Sequence, residues 1–172
     1  VDSNGNGSLM RILPLIFFLY PEMNMERRHE IVSHVSSITH GHFIAKFSCF
    51  IFVEFGIQLL KSKELNCYDK LKVFETTKKS INDFASTIKD QSEKILLFDG
   101  ILNQNLVKSP DSLSFISGSG YVLDSIKASL YCFLTTNTYS EAVLKAVNLG
   151  EDTDTTAAIT GGLAGLWYGL DD

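Results

Sequence analysis

Near the end of the chain, Asp152, Asp154 and Thr155 put three oxygen donors within four residues. Hard cations such as Mg²⁺ take carboxylate and hydroxyl oxygens and keep several waters. A loop entering a helix could aim two carboxylates and a hydroxyl at one point. The same residues would equally make an ordinary helix start, because Asp and Thr suit the N-cap and acids suit the positive end of the dipole. An EF-hand is excluded by position. Counting from Asp152, the sixth residue is Ala157 instead of Gly and the twelfth is Leu163 instead of Glu.

A second group opens the chain. In Asn4-Gly5-Asn6-Gly7-Ser8 the glycines let backbone N–H groups approach an anion closely. No Gly-Lys-Ser/Thr follows, so this is not a P-loop, and Met10 stands where a dinucleotide fingerprint needs its last Gly. Gly118-Ser119-Gly120 fails the same test at Leu123. Taken alone, both stretches read as turns. His40 and His42 flank Gly41, with His29, His34 and Cys49 the other zinc-type ligands nearby. Their spacing matches no zinc pattern, which leaves a helix-end hydrogen bond or a ligand contact.

These residues need a frame, and hydrophobic periodicity supplies one. Residues 9–20 are apolar and break at Pro21, and 25–39 form an amphipathic helix through Ile31, Val35 and Ile38. After Gly41, residues 43–60 are apolar nearly all round, as in a buried helix. Residues 71–88 carry a thin stripe (Leu71, Phe74, Ile81, Phe84, Ile88), and 93–102 form a short helix. Residues 109–120 are a Ser-, Gly- and Pro-rich loop. Helices follow at 121–134, at 140–149 with Ser140 as N-cap, and at 155–169. In the last, Ala157, Gly161, Gly165 and Gly169 recur every four residues, which implies a helix packed very close. Nothing alternates with period two. The expectation is an all-α fold, with residues 1–172 forming one domain incomplete at its ends.

Composition narrows the function classes. At 45% hydrophobic and 20% charged the chain is ordinary globular protein, and its net charge of −5 argues against a nucleic-acid footprint. Cys49, Cys67 and Cys132 are odd in number and contain no CxxC, which fits a reducing cytoplasm better than a disulfide framework. The start is polar and Gly-rich, unlike a signal peptide, so the sequon-like Asn6-Gly7-Ser8 is a chance match. Residues 42–60 are long enough to span a bilayer, but His42, Lys46, Glu54 and Gln58 would be costly in lipid. A buried core helix is expected instead, with no membrane or nucleic-acid partner.

Four stretches, in order, resemble one family. They are Asn4-Gly5-Asn6-Gly7-Ser8-Leu9-Met10-Arg11, Thr39-His40-Gly41-His42, Ser117-Gly118-Ser119-Gly120-Tyr121-Val122, and the run from Ala146 through Glu151-Asp152-Thr153-Asp154-Thr155 to Gly165. Together they resemble the ADP-ribosylglycohydrolases, the dinitrogenase-reductase-activating type among them. The last run is the most specific. The resemblance implies an all-α fold with two Mg²⁺ or Mn²⁺ ions that hydrolyses the bond at C1″ of an ADP-ribose. The substrate would be an ADP-ribosylated protein or an ADP-ribose-containing small molecule. It implies Asp152, Asp154 and Thr155 as metal ligands. Asn6 with Gly5, Gly7 and Ser8 would contact the ADP-ribose, His40 its phosphate or ribose, and Gly120 and Tyr121 would line the nucleotide pocket. The family's other metal ligands, in a Thr-Asp-Asp motif with a Gly-Asp motif upstream, do not occur here, nor does its usual Ile-Pro…Trp ending. The acid that positions the water belongs with that missing part. This chain therefore carries half of the site, is expected to be weak or inactive alone, and would be completed by a separate N-terminal segment. The alternative is a non-catalytic, ADP-ribose-binding or crystallin-like member of the same fold.

Overall fold

A computed structural model describes residues 4–104, 106–107 and 116–169. Among these residues every regular element is helical, as expected. In chain order they are α1 (Gly7–Met10), α2 (Pro14–Leu19), α3 (Met25–Ser37), α4 (Phe43–Glu64), α5 (Lys70–Ala85), α6 (Ser92–Ile95), α7 (Asp99–Leu102), α8 (Val122–Leu134), α9 (Tyr139–Val147) and α10 (Thr153–Tyr168). Single 3₁₀ turns lie at Lys89–Gln91 and Leu96–Phe98.

The fold is organised around α4, which packs against α1, α2, α3, α5, α8 and α10. This follows from its composition. Phe47, Phe50, Phe52 and Phe55 leave no polar face, and all four are fully buried. Though long and apolar enough to cross a membrane, α4 is enclosed by its neighbours, and 83% of its apolar window is buried. Its interior charge, Glu54, meets Arg28 of α3 in a two-point ion pair of 2.5 and 2.8 Å. Arg28 also donates to the Glu22 carbonyl at 2.7 Å, so neither buried ion is left uncompensated. At the far end of the bundle, Lys70 donates to the carbonyls of Phe133, at 2.9 Å, and Thr136, and contacts the Tyr168 hydroxyl. It thereby ties the start of α5 to the ends of α8 and α10.

Several expected boundaries move. The apolar stretch 9–20 is two short helices, because Pro14 restarts the chain at a first helical position. The single helix expected over 93–102 is broken into alternating α and 3₁₀ turns. The N-cap of α9 is Thr138, whose hydroxyl accepts from the Glu141 amide at 3.1 Å, and Ser140 lies inside the helix. The loop expected over 109–120 falls largely outside the described residues. The small-residue stripe of α10 packs against α9, as its spacing implies, and meets the ring of Tyr139 there. A Cβ on Gly161 would sit 3.3 Å from its hydroxyl and one on Gly165 3.9 Å from its edge. Gly169 is not part of that contact; it is the C-cap residue, with φ of +84°.

Candidate active site where three loops meet

Three segments far apart in sequence close on one another at the starts of α1, α8 and α10. The Val122 amide donates to the Asn4 carbonyl at 2.9 Å, and Gly5 pairs with Tyr121 in an isolated antiparallel bridge. The Asp152 amide donates to the Gly118 carbonyl at 2.9 Å. Gly118 permits this approach, since a Cβ there would lie 2.3 Å from the Gly150 carbonyl oxygen. The turn into α10 then runs through two left-handed residues, Gly150 at φ +83° and Glu151 at +60°. The second is uncommon for a side-chain-bearing residue and marks a constrained loop.

Asn6 stands at the centre. Its side-chain amide donates to the Asp152 carboxylate at 2.7 Å and to the Ser125 hydroxyl at 2.7 Å. Ser125 in turn donates to the Ser119 carbonyl at 3.1 Å, so it is free to accept from Asn6. Asp152 occupies the N-cap position of α10, yet its carboxylate is turned to Asn6 and makes no conventional cap bond. The Asn6 amide, above all, holds this carboxyl below its usual range; Thr155 and Asp154 add to that effect against an opposing contribution from burial. Asp154 and Thr155 belong to the first turn of α10, which starts at Thr153, earlier than expected. Asp154 is exposed, whereas Thr155 is buried with its hydroxyl against the Met10 sulfur at 3.6 Å.

His40 approaches the same loop from the end of α3. Its Nδ1 lies 2.8 Å from the Thr39 hydroxyl, which already accepts from Arg11 at 2.8 Å. With Thr39 donating to Nδ1, the neutral ring carries its proton on Nε2. That edge faces the loop glycines: a Cβ on Gly7 would lie 3.3 Å from Nε2 and one on Gly5 3.7 Å. Tyr121 is partly exposed beside Gly5. Gly120 is also exposed, and a Cβ there would lie 3.2 Å from the Asp152 carboxylate. Ser8 is turned away; its hydroxyl, fully buried, meets Ser36 at 3.0 Å and the Cys49 thiol at 3.5 Å.

A profile of the ADP-ribosylglycohydrolase family matches residues 1–172. The chain belongs to the ADP-ribosylglycohydrolase family. It is 30% identical over 169 residues to the ADP-ribosylarginine hydrolase Tri1 of Pseudomonas putida (strain GB-1), a match covering 96% of this chain and 39% of that protein. It is 41% identical over 54 residues to the ADP-ribosyl-[dinitrogen reductase] glycohydrolase of Rhodospirillum rubrum, covering 31% of this chain and 18% of the relative. With the ADP-ribosylhydrolase ARH3 of Mus musculus it shares 21% identity over 189 residues, 98% of this chain and 50% of the relative. The chain thus spans between 39% and 50% of the relatives that it matches nearly end to end.

Within this ADP-ribosylglycohydrolase chain, the loop junction gathers Asn6, Gly120, Tyr121 and Asp152 directly, and His40 against Gly5 and Gly7. Among the described residues no group of three or more His, Cys, Asp or Glu side chains forms a metal-binding set. Asp152, Asp154 and Thr155 offer three oxygen donors within four residues at the start of α10, which suits a hard divalent cation but fills only part of its shell. Two participants escaped the sequence reading. Ser125 was hidden in an apolar helix, where a fully buried hydroxyl is the signal for a specific partner. Arg11 stood in the resembling motif, but its work, donating to Thr39 and to the Val35 carbonyl at 2.9 Å, depends on how α1 meets α3.

Proposed function

We propose that this chain is the C-terminal half of an ADP-ribosyl hydrolase, residues 1–172 being one partial domain. The loop around Asn6 would bind the ADP-ribose unit, and Asp152, Asp154 and Thr155 would supply half of a dinuclear Mg²⁺ or Mn²⁺ site. The observation that carries this is the Asn6–Asp152 hydrogen bond of 2.7 Å, spanning 146 positions. It keeps the carboxylate charged and fixed beside the amides of the glycine-rich loop. A helix start needs no such device, since a self-contained cap would serve it.

The chain's own residues do two things in this reading. The amides around Gly5–Gly7 and the Nε2–H of His40 offer donors to a phosphate or ribose oxygen, which suits an acidic protein binding an anionic ligand locally. Asp152 and Asp154 balance the charge of paired cations. Such ions, when bound, fix ribose hydroxyls and lower the pKa of a water for attack at C1″. The remaining ligands and the water-positioning acid would come from a separate N-terminal segment. The substrate class would be an ADP-ribosylated protein, such as one modified on arginine, or a smaller ADP-ribose conjugate. In this reading the protein works in a reducing cytoplasm, the compartment that its odd, widely spaced cysteines suggest.

The test joins this chain to the N-terminal half of its P. putida relative and follows release of ADP-ribose from ADP-ribosylated arginine and serine peptides. Release should require Mg²⁺ or Mn²⁺ and should fall by about 10²-fold or more in Asp152→Ala, as for loss of an electrostatic stabiliser. A folded chimera with no release, or with Asp152→Ala as active as the parent, refutes the reading. On this chain alone, Mn²⁺ should bind weakly by electron paramagnetic resonance, and not at all in Asp152→Ala/Asp154→Ala.

A further inference from the structure

The helix α2 is apolar on every side, Pro-Leu-Ile-Phe-Phe-Leu, and no charged residue stands between Arg11 and Glu22. A helix of that composition belongs in an interior, as α4 does. Yet α2 is covered on one side only. Ile16 and Leu19 are turned into the core, with Ile16 against Gly56 of α4, while Phe17 is 58% and Phe18 68% exposed. Met10 before them and Met23 after them are exposed too, as are Pro14 and Pro21. Apolar side chains scattered singly are ordinary on a protein surface, but a run of them without a charge marks an interaction face.

The position of this face decides what covers it. The Met10 sulfur lies 3.6 Å from the Thr155 hydroxyl. Farther along, a Cβ on Gly162 would sit 3.1 Å from Leu13 Cδ1. The stretch from α1 into α2 therefore runs beside α10, from its first turn onward. Asp154, Ala158 and Gly162 share one row of α10 at spacing four, and Asp154 and Ala158 are exposed. The apolar face thus begins at the half-site and continues away from it. Ions of a paired site lie about 3.5–4 Å apart, so the ligands that this chain lacks must arrive beside Asp154 and Thr155, next to Met10. The chain spans between 39% and 50% of the relatives that it matches nearly end to end, so those proteins have further chain enough to cover such a face.

We infer that Met10, Phe17, Phe18 and Met23 form the seat of the N-terminal half of the hydrolase, docked along α1 and α2 so that it ends beside Asp154. The inference rests on the reading of this chain as the C-terminal half of an ADP-ribosyl hydrolase, and it adds which surface joins the two halves. In an all-α family the occupant presents an apolar helix face. An uncharged, Phe-rich surface resembles a core cut in half, which is the character of a permanent interface and not of a transient one.

Thiol protection tests this, in the chain alone and in its chimera with the N-terminal half of the P. putida relative. Cys67, half-buried, is first removed by Cys67→Ser, while Cys49 and Cys132 are buried. Phe17→Cys should react readily with a maleimide in the chain alone and at least about tenfold more slowly in the chimera, since thiol reactivity follows access. Lys79→Cys, at an exposed position of α5, should react equally fast in both. Phe17→Asp/Phe18→Asp should leave the melting temperature of the chain alone nearly unchanged and lower that of the chimera by several degrees. If the P. putida chimera does not fold, the N-terminal half of the Mus musculus relative takes its place, and failure of both to fold overturns the proposal. A folded chimera in which Phe17→Cys reacts as fast as in the chain alone overturns it. So does a dimer, seen by sedimentation and abolished by Phe17→Asp/Phe18→Asp, that persists in the chimera, because a second copy then holds the face. ADP-ribose release with an unprotected thiol overturns the docking face alone, whereas protection without release upholds it and refutes only the hydrolase chemistry.

Discussion

Asn6 shows how one side chain can carry a site's geometry. Its two amide protons go to Ser125 of α8 and Asp152 at the start of α10, helices joined elsewhere by packing and by the Ser129 hydroxyl, which donates to the Thr156 carbonyl at 3.3 Å. Asn6→Ala would strip a buried hydroxyl and a carboxylate of their shared donor, at a cost of about 1–3 kcal/mol in a urea denaturation series. The Asp152 carboxyl should rise toward its ordinary range in an NMR titration; an unchanged value would mean that Asn6 is not what holds it. Gly118→Ala should be worse, because the added methyl meets the Gly150 backbone oxygen instead of a movable side chain. His29 supplies the pH dependence. Burial, and secondarily Lys46, lowers its pKa below the usual 6.5. Above that value neither the folded nor the unfolded chain protonates it, and it contributes nothing. As pH falls through 6.5 the unfolded chain takes up a proton that the folded ring refuses, so stability drops until the folded pKa is passed. Comparing parent and His29→Phe from pH 8 to 5 isolates this. The two curves should run parallel above about pH 7 and diverge below about 6.5, the parent losing more.

Helix existence was readable wherever one apolar period dominated. Residues 43–60 read as a buried helix because nearly every face is hydrophobic, and α3 and α5 follow from their stripes. What failed were features decided by partners. Ser140 was as good a local cap as Thr138; packing of Tyr139 against Gly161 and Gly165 chose the earlier start. The segment after α5 has no sustained period, and its alternation of α and 3₁₀ turns reflects tertiary contacts of Phe98, Ile101 and Leu102 with the core. Close packing at a glycine is also invisible until the neighbour is known. Gly56, in the middle of α4, lies against Ile16 of α2, where a Cβ would sit 2.3 Å from Ile16 Cδ1 and 3.0 Å from Cγ1. Gly→Ala in a helix interior gains about 1 kcal/mol on its own, whereas overpacking a filled core costs about 1–3 kcal/mol. Ile16 is fully buried and has nowhere to go, so Gly56→Ala should destabilise on balance. Ile16→Val should recover part of the loss, and a double-mutant cycle should show the two changes coupled. Strict additivity would mean that α2 and α4 do not meet as described.

At the scale of the whole molecule, the site is legible only as order along the chain. Asp152-Thr153-Asp154-Thr155 by itself reads as a helix start, and Asn4-Gly5-Asn6-Gly7-Ser8 by itself as a turn. Family resemblance paired them, but nothing in their spacing says that the second closes on the first through Asn6, because α4 and its neighbours set that approach. The helices that carry the junction, α1, α8 and α10, all pack against α4. α4 packs against both α3 and α10, and among the described residues its buried charge Glu54 is matched by the Arg28 side chain. Glu54→Gln keeps the shape and leaves a buried guanidinium uncompensated, with an expected cost of about 3–5 kcal/mol. The cost should not stay local. Trp167, the one tryptophan, lies near the end of α10, where its carbonyl accepts from Lys63 of α4 at 3.2 Å, so its fluorescence reports on that local packing while the circular dichroism reports on every helix. If α4 makes one cooperative unit, Glu54→Gln should shift the denaturation midpoints of both signals by the same amount and leave them coincident. A fluorescence midpoint that stays at the parental value while the dichroism moves would show that α10, and with it Asp152, folds independently of the hub.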